Sequence, residues 1–399
     1  MSDEYDVVVA GASTAGCAAA MFFAARGARV ALLEKRTTID AHKVLCTHTL
    51  QPGALPVLKT LGVLPELEAA GALPHVTELW TPWGWIRPRP EPGGPPLPQG
   101  LNVRRSTLDP VLRRAAAGTP GVDLMLGEQV AGLLEEDGRI TGVRTGGRTI
   151  TARLTVGADG RGSTVAAHSG LPARVSANNR LGFFAQYRGL PPAPSRVWFL
   201  DPDTAFAFPN DGDITVVACS PAKERHSADF RRDMEGSYER FIRALPDAPP
   251  IDEGERVSKV IGTFDLPNVY RKPHRPGLAL VGDAALATDP VWGVGIGWAL
   301  QSAQWLAEAC AAGPGEGLEE YGRTHRSALD GHHKLMEDYA SVRPFNPFEK
   351  LLLSAAARDA AAARHHQRFA GRLIDVKEFV SPPALLRALR VNALHRLGR

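Results

Sequence analysis

The chain has 399 residues, with 46 Lys and Arg against 43 Asp and Glu, a net charge of +3 and four cysteines. That length accommodates two or three packed lobes, and a near-balance of charge with no stretch dense in lysine and arginine gives no case for a nucleic-acid partner. Cys17, Cys46, Cys219 and Cys310 are scattered with no C-x-x-C pair, which excludes a zinc ribbon or a disulfide scaffold, offers no metal-ligand set and fits a reduced cytosol.

The chain begins Ser2-Asp3-Glu4 and passes directly into an apolar strand, so no signal peptide is expected. The longest apolar run, residues 17–25, is far too short to span a bilayer, and a cytoplasmic protein without an integral membrane segment is the expectation. Residues 6–10 read as a strand, Gly11-Ala12-Ser13-Thr14-Ala15-Gly16 as a tight turn, the alanine-rich stretch to about Arg26 as a helix, and a second strand ends at Glu34. This is a Rossmann βαβ unit. The helix N-terminus offers bare amides to a pyrophosphate, and a carboxylate at the second strand's end can hold a ribose hydroxyl. Gly11, Ser13, Thr14, Ala15, Gly16, Glu34 and Lys35 are therefore candidate nucleotide contacts. Ser13 stands where G-x-G-x-x-G has its middle glycine, but it is small enough to let a phosphate approach and its hydroxyl can donate.

Residues 80–98 set Trp80, Trp83 and Trp85 beside seven prolines, which argues for an irregular loop. That loop is either an aromatic lid over a cavity or a segment whose tryptophans pack onto the surface. Further on, residues 154–165 form a strand entering Gly157-Ala158-Asp159-Gly160-Arg161-Gly162-Ser163. Residues 176–258 alternate in the manner of antiparallel strands (181–189, 196–200, 205–208 and 214–219), with a turn at 209–212 and a helix near 230–244. Rings and β-branched side chains on such a sheet suit a flat, apolar substrate.

Residues 277–301 are the most informative. An apolar strand, 278–281, delivers Gly282-Asp283; Asp289-Pro290 follows, and Gly293, Gly295 and Gly297 open an alanine-rich helix. Asp283 can accept hydrogen bonds from sugar-alcohol hydroxyls, while the bare amides near residues 294–297 and the helix dipole favour developing negative charge. A flavin dinucleotide has both features, a ribityl chain and a ring that turns anionic at N1/C2=O on reduction. After residue 330 the pattern is helical, with an alanine-rich stretch over 349–368. Residues 384–397 place Leu385, Leu386, Leu389, Leu394 and Leu397 near one face with arginines opposite. Such a helix docks on its own chain or a partner subunit, a homodimer being one outcome, or lies on a membrane surface. The adjacent pairs His332-His333 and His365-His366 point to different helix faces and are expected in solvent.

Taken in order, the first strand-glycine-helix unit, the central GADGRGS and the late VGDA…DPxxGxG resemble the three fingerprints of the p-hydroxybenzoate-hydroxylase-like (group A) FAD-dependent monooxygenases. The resemblance spans most of residues 5–312, and Arg105-Ser106-Thr107-Leu108-Asp109 is similar to the family's R-x-x-L-D segment. It implies an α/β fold with a three-layer, Rossmann-type FAD-binding domain over residues 1–75, 100–175 and 268–330. A substrate domain with an antiparallel sheet would take 76–99 and 176–267, and a C-terminal helical region 331–399. By the same resemblance, Arg105, Asp159, Gly282, Asp283, Pro290, Gly293, Val294 and Gly295 join the FAD contacts, and NAD(P)H is a transient co-substrate with no second fingerprint of its own.

The reaction implied is transfer of one oxygen from O2, through a flavin C4a-hydroperoxide, to a small apolar, aromatic or polycyclic molecule of the kind made in secondary metabolism. The flavin carries the hard chemistry and the protein supplies orientation and water exclusion. Pro290 lies against the flavin ring in this reading, Trp292 shapes the cavity, and His48 is a candidate general base or substrate hydrogen-bond donor. Residues 41–55 also resemble the cysteine-bearing segment of geranylgeranyl-reductase-like flavoproteins, with Cys46 at the cysteine and Thr47-His48 in place of the glycines. A flavin reductase or dehydrogenase acting on an apolar C=C bond is the alternative, and a non-catalytic flavin-binding protein a minor one. Residues 83–87 are similar to the W-x-W-x-I-P segment of flavin halogenases, but they precede Asp159 and lack its proline spacing.

Overall fold

Strand side chains alternate across a sheet, and in the computed structural model, which describes residues 3–398, the first strand, Asp3–Ala10, uses both of its faces. Val7 and Val9 enter one core and Val8 and Ala10 another, so the sheet is covered on both sides. Its order runs His274–Arg275, Leu278–Leu280, Thr149–Gly157, Asp3–Ala10, Val30–Glu34, Val122–Leu126. The last five are parallel to their neighbours, and the hairpin of Val130–Glu136 and Arg139–Thr145 pairs antiparallel onto the early half of Thr149–Gly157. The helices Thr14–Ala24, Arg105–Ala117 and Gly295–Ala309 form one outer layer, and the hairpin with the short helix Thr164–His168 forms the other, giving the three-layer Rossmann-type arrangement. Thr14–Ala24 is buried along its whole length, which explains its five alanines and lack of charge.

A second sheet is ordered Glu255–Arg256, Gly182–Arg188, Ile214–Ser220, Thr204–Asn210, Arg196–Phe199, Glu78–Thr81, Gly84–Ile86, antiparallel except where Arg196–Phe199 meets Glu78–Thr81. Its period of two is strict. Phe184, Phe206, Phe208 and Ala218 face the first domain, while Phe183, Tyr187, Trp198 and Cys219 face the helices Lys223–Arg232 and Met234–Arg243.

Several expectations need correction. Residues 80–98 are not all loop, because Trp80 and Trp85 pair within a hairpin that extends the second sheet; Pro82 falls in its turn and the other six prolines lie beyond Ile86. The helix near 230–244 is two helices broken at Asp233, whose carboxylate caps the second. The 349–368 stretch likewise divides into Pro347–Ala356 and Ala360–Ala370, capped by Asn346 and Asp359. His332, His333 and His366 are buried rather than solvated, because His332 meets the ring of Phe369, His333 that of Tyr270 and His366 that of Phe379. The last helix, Pro382–Arg396, seats Leu385, Ala388 and Asn392 on Pro347–Ala356 and leaves the other leucines outward, with Leu386 66% and Leu397 72% exposed. Among the described residues no helix is long and apolar enough to cross a membrane.

Candidate functional site

A cleft of about 530 Å³ runs from the end of Val30–Glu34 to the start of Gly295–Ala309, under the Phe184 and Phe206 face of the second sheet. Gly11, Ser13, Thr14, Ala15, Glu34, Lys35, Arg105, Asp159, Asp283, Pro290, Gly293, Val294 and Gly295 all line it. Gly16 and Gly282 do not; they serve the turn behind it. Gly11 has φ +99°, and a Cβ there would sit 2.7 Å from the Ala158 carbonyl oxygen. A Cβ on Gly16 would overlap the Gly11 carbonyl oxygen, and one on Gly282 would meet Ala15 and Ala299 at 3.1 and 3.2 Å. Only a bare backbone lets the two helices approach the strand ends this closely.

The charged groups of the cleft are held in place. Glu34 is buried, with Oε2 accepting from the Ala12 N–H at 2.9 Å and Oε1 from the Arg36 N–H at 3.0 Å. Arg105 and Asp109, one helical turn apart, form a fully buried pair at 2.6 Å, and Arg105 also donates to Ser13 Oγ at 2.6 Å. The hydroxyl in the place of the usual glycine thus has a partner of its own. Burial works against the Arg105 charge, but Asp109 overrides it and holds the guanidinium above its usual range. Asp109 Oδ2 accepts from the Lys43 N–H at 3.0 Å, and Lys43 Nζ reaches Asp283 at 3.1 Å. Burial opposes the Asp283 charge, yet Lys43 and Arg161 keep its carboxyl below the usual range. Asp159 is occupied locally, accepting from Ser163 Oγ and from the Val165 N–H at 3.1 Å. Asp289 caps the turn Pro290–Trp292 and faces Arg180 at 3.4 Å; burial raises its pKa.

Sequence reasoning missed Arg113, Lys43 and Arg180. Arg113 is buried and donates to the carbonyls of Ala12, at 2.7 Å, Ile39 and Ala41, at 2.6 Å, fastening the 39–41 segment to the dinucleotide turn. A long basic side chain one turn beyond Asp109 is the one signal that could have found it.

His48 stands outside the cleft. Its side chain is buried, is not among those lining the cleft, and its Nδ1 accepts from the Arg105 N–H at 2.9 Å, which puts the proton on Nε2. Burial first, then Arg105, lowers its pKa to about 3. A neutral ring at φ +63° between Arg105 and Phe184 shapes the loop, with Nε2 a buried donor without a partner. Cys46 does line the cleft, and its Sγ accepts from the His48 N–H at 3.3 Å.

Trp292 lies beyond the cleft, in a smaller inner cavity of about 60 Å³ that shares Thr47, Thr49, Phe206, Pro290 and Gly293 with it. Phe199, Tyr339 and Phe369 meet the Trp292 ring edge to face at 5.4 to 6.0 Å, and the Arg372 guanidinium stands 5.2 Å from its centre.

Residues 4–326 match the signature described as the FAD binding domain. The chain belongs to that family. Among its relatives, this FAD-binding protein is 27% identical over 321 residues to the digeranylgeranylglycerophospholipid reductase of Thermoplasma volcanium, covering 77% of this chain and 78% of that one. It is 28% identical over 308 residues to the 6-methylpretetramide 4-monooxygenase of Streptomyces rimosus, covering 75% and 73%. Its fold is that of the p-nitrophenol 4-monooxygenase of Pseudomonas putida DLL-E4, with a TM-score of 0.76 and 20% identity over 94% of this chain and 100% of the other. FAD is the family's cofactor, and the residues fit it: a turn with no room for side chains, a helix opened by glycines, and the carboxylates Glu34 and Asp283 lining the same cleft.

Proposed function

We propose that the protein is an FAD-dependent monooxygenase that inserts one oxygen atom from O2 into an aromatic or polycyclic small molecule, with NAD(P)H as electron donor. The observation that carries this reading is the apolar cavity directly beyond Pro290 and Gly293, walled by Phe199, Phe206, Phe208 and Trp292. A flat substrate held there would meet the ring end of the cofactor.

When bound, FAD supplies the reduction by nicotinamide and the activation of oxygen. The chain's own residues hold and shield it. Glu34 takes the adenosine ribose, the amides after Gly11 take the pyrophosphate, and Asp283 takes the ribityl hydroxyls. The N-terminus of Gly295–Ala309 offers Val294 and Gly295 amides to the electron-rich edge of the ring. Arg105 backs the turn through Ser13 rather than reaching for substrate. Phe184, Phe206 and Leu286 keep water from the reacting end, and in a dry site each remaining hydrogen bond counts for more.

A second reading has its own support. Cys46 lines the cleft, and a relative covering three quarters of the chain is a reductase of isoprenoid lipids by name. The two readings part on Cys46 and on oxygen. Oxygen transfer needs no thiol, so Cys46→Ser is expected to keep FAD and turn over within about threefold of wild type, with product labelled from 18O2. Loss of turnover in a fully FAD-loaded Cys46→Ser, with a product that gains two hydrogens under anaerobic conditions, would replace the monooxygenase by the reductase.

A further inference from the structure

We propose that the outward face of the last helix, Pro382–Arg396, seats the protein on the surface of an anionic lipid bilayer. Of the ten large hydrophobic side chains exposed among the described residues, four belong to this helix and its C-cap: Leu386, Leu389, Leu394 and Leu397. Leu386, Leu389, Ala393 and Leu397 follow the helical repeat and form one stripe along it. A lone exposed leucine needs no explanation, but a contiguous apolar patch marks a contact surface.

The helix is not free to turn this stripe inward. Its other face carries Leu385, Ala388 and Val391 against Pro347–Ala356. Asn392 Nδ2 donates to the Leu351 carbonyl at 3.0 Å, and Asn392 Oδ1 accepts from Ser354 Oγ at 3.0 Å. The leucines are thus displayed on a helix already fixed to the body, and little ordering entropy is lost when they are covered.

Charge decides what covers them. Residues 379–399 contain Arg387, Arg390, Arg396 and Arg399 and not one Asp or Glu. Arg390 and Arg396 flank the stripe on its two sides and are exposed, and Arg387, exposed as well, faces Asp359 at 3.8 Å. A second copy of the chain makes a poor cover. An interface that repeats one patch about a twofold axis would set arginines against arginines, with no carboxylate on either helix. An anionic bilayer supplies both complements. The leucines enter the boundary between headgroups and acyl chains, while each arginine lays its apolar stem beside them and keeps its guanidinium among the phosphates.

The test is co-sedimentation of the intact, FAD-loaded protein with vesicles of phosphatidylcholine alone and of phosphatidylcholine mixed equally with phosphatidylglycerol. The protein is expected to pellet with the mixed vesicles at low salt and to be released at high salt. Leu386→Ser combined with Leu389→Ser is expected to weaken partitioning by about tenfold or more. Arg387→Gln, Arg390→Gln and Arg396→Gln are expected to cost about fivefold each. Both sets should melt as wild type does, since these side chains stand in solvent. No sedimentation with the mixed vesicles, equal sedimentation with both kinds, or binding that survives the leucine substitutions overturns the inference. So does a dimer in light scattering that the leucine substitutions convert to a monomer, which would give the stripe to a second copy.

Discussion

The cofactor cleft and the inner cavity share one wall but are built by opposite means. In the cleft, shape comes from backbone: Gly11, Gly16 and Gly282 admit no Cβ, and Glu34, Arg105, Asp109 and Asp283 each already hold a partner. In the inner cavity, shape comes from side chains. Phe199, Tyr339 and Phe369 each meet Trp292 edge to face, and Trp292 Nε1 and Gln367 Oε1 remain unpaired. A site made of backbone and matched charges suits one unvarying ligand, whereas a site made of rings and open polar atoms suits a ligand that differs from protein to protein.

Substitutions on the two sides put this contrast to the test. The largest effect is expected from Arg105→Ala, which strands the buried Asp109 charge. About 3–5 kcal/mol of stability should go with it, together with most bound FAD, read by thermal unfolding and by absorbance of the purified protein. A variant that stays yellow and melts normally would show that the pair is ornamental.

Next, Asp283→Ala removes a charge-assisted acceptor at about 1.5–3 kcal/mol, or tenfold to a hundredfold in FAD affinity. The measurement is titration of apoprotein with FAD, and an unchanged dissociation constant would reject the ribityl assignment.

An effect that appears only below neutral pH belongs to the buried histidines. Burial brings His48 to about 3 and His75, His325, His332 and His366 to about 4, against 6.5 in the open chain. Their folded pKa values are depressed, so between pH 6.5 and 4 the unfolded state binds more protons. The stability they contribute is complete above pH 6.5 and is lost as pH falls, by up to about 1.4 kcal/mol per pH unit for each ring. Melting temperature should be flat above pH 7 and fall towards pH 4, and His332→Gln should reduce that slope by one proton's worth. A slope unchanged by His332→Gln would mean that this ring is protonated in the fold.

The smallest effect is expected at Leu389→Ser on the outward face of the last helix. Leu389 is 54% exposed, and surface changes of this kind stay within about 0.5 kcal/mol.

The strands and the glycine turns were legible in the sequence because their signals are local. Alternation over 182–188 and 214–220 needs only neighbouring residues, and Gly-Asp after an apolar strand marks a carboxylate at a strand end. What escaped depends on distance along the chain. Lys43 meets Asp283 across 240 positions and Arg113 meets Ala12 across 101, and no periodicity reports such a meeting. The state of His48 likewise rests on a partner far along the chain, the Arg105 amide, and on burial that its residue type does not report. Adjacent histidines were read as solvated on helix geometry alone, which ignores that Leu318–Ala340 and Ala360–Ala370 have neighbours on more than one side. The proline-rich segment misled in the other direction, since the prolines cluster after Ile86 and leave the strand-forming Glu78–Thr81 untouched.

The turn at Gly11 and Gly16 also bears on how such a protein can be re-engineered. Because an added methyl group there collides with backbone, that loop tolerates no exploration, and a random library spread over the whole chain wastes its members on it. The inner cavity offers the opposite: Leu79, Val197, Phe208 and Ala370 line it without touching the dinucleotide turn. Diversity confined to those four positions would alter which molecule is accepted while every variant still loads its cofactor.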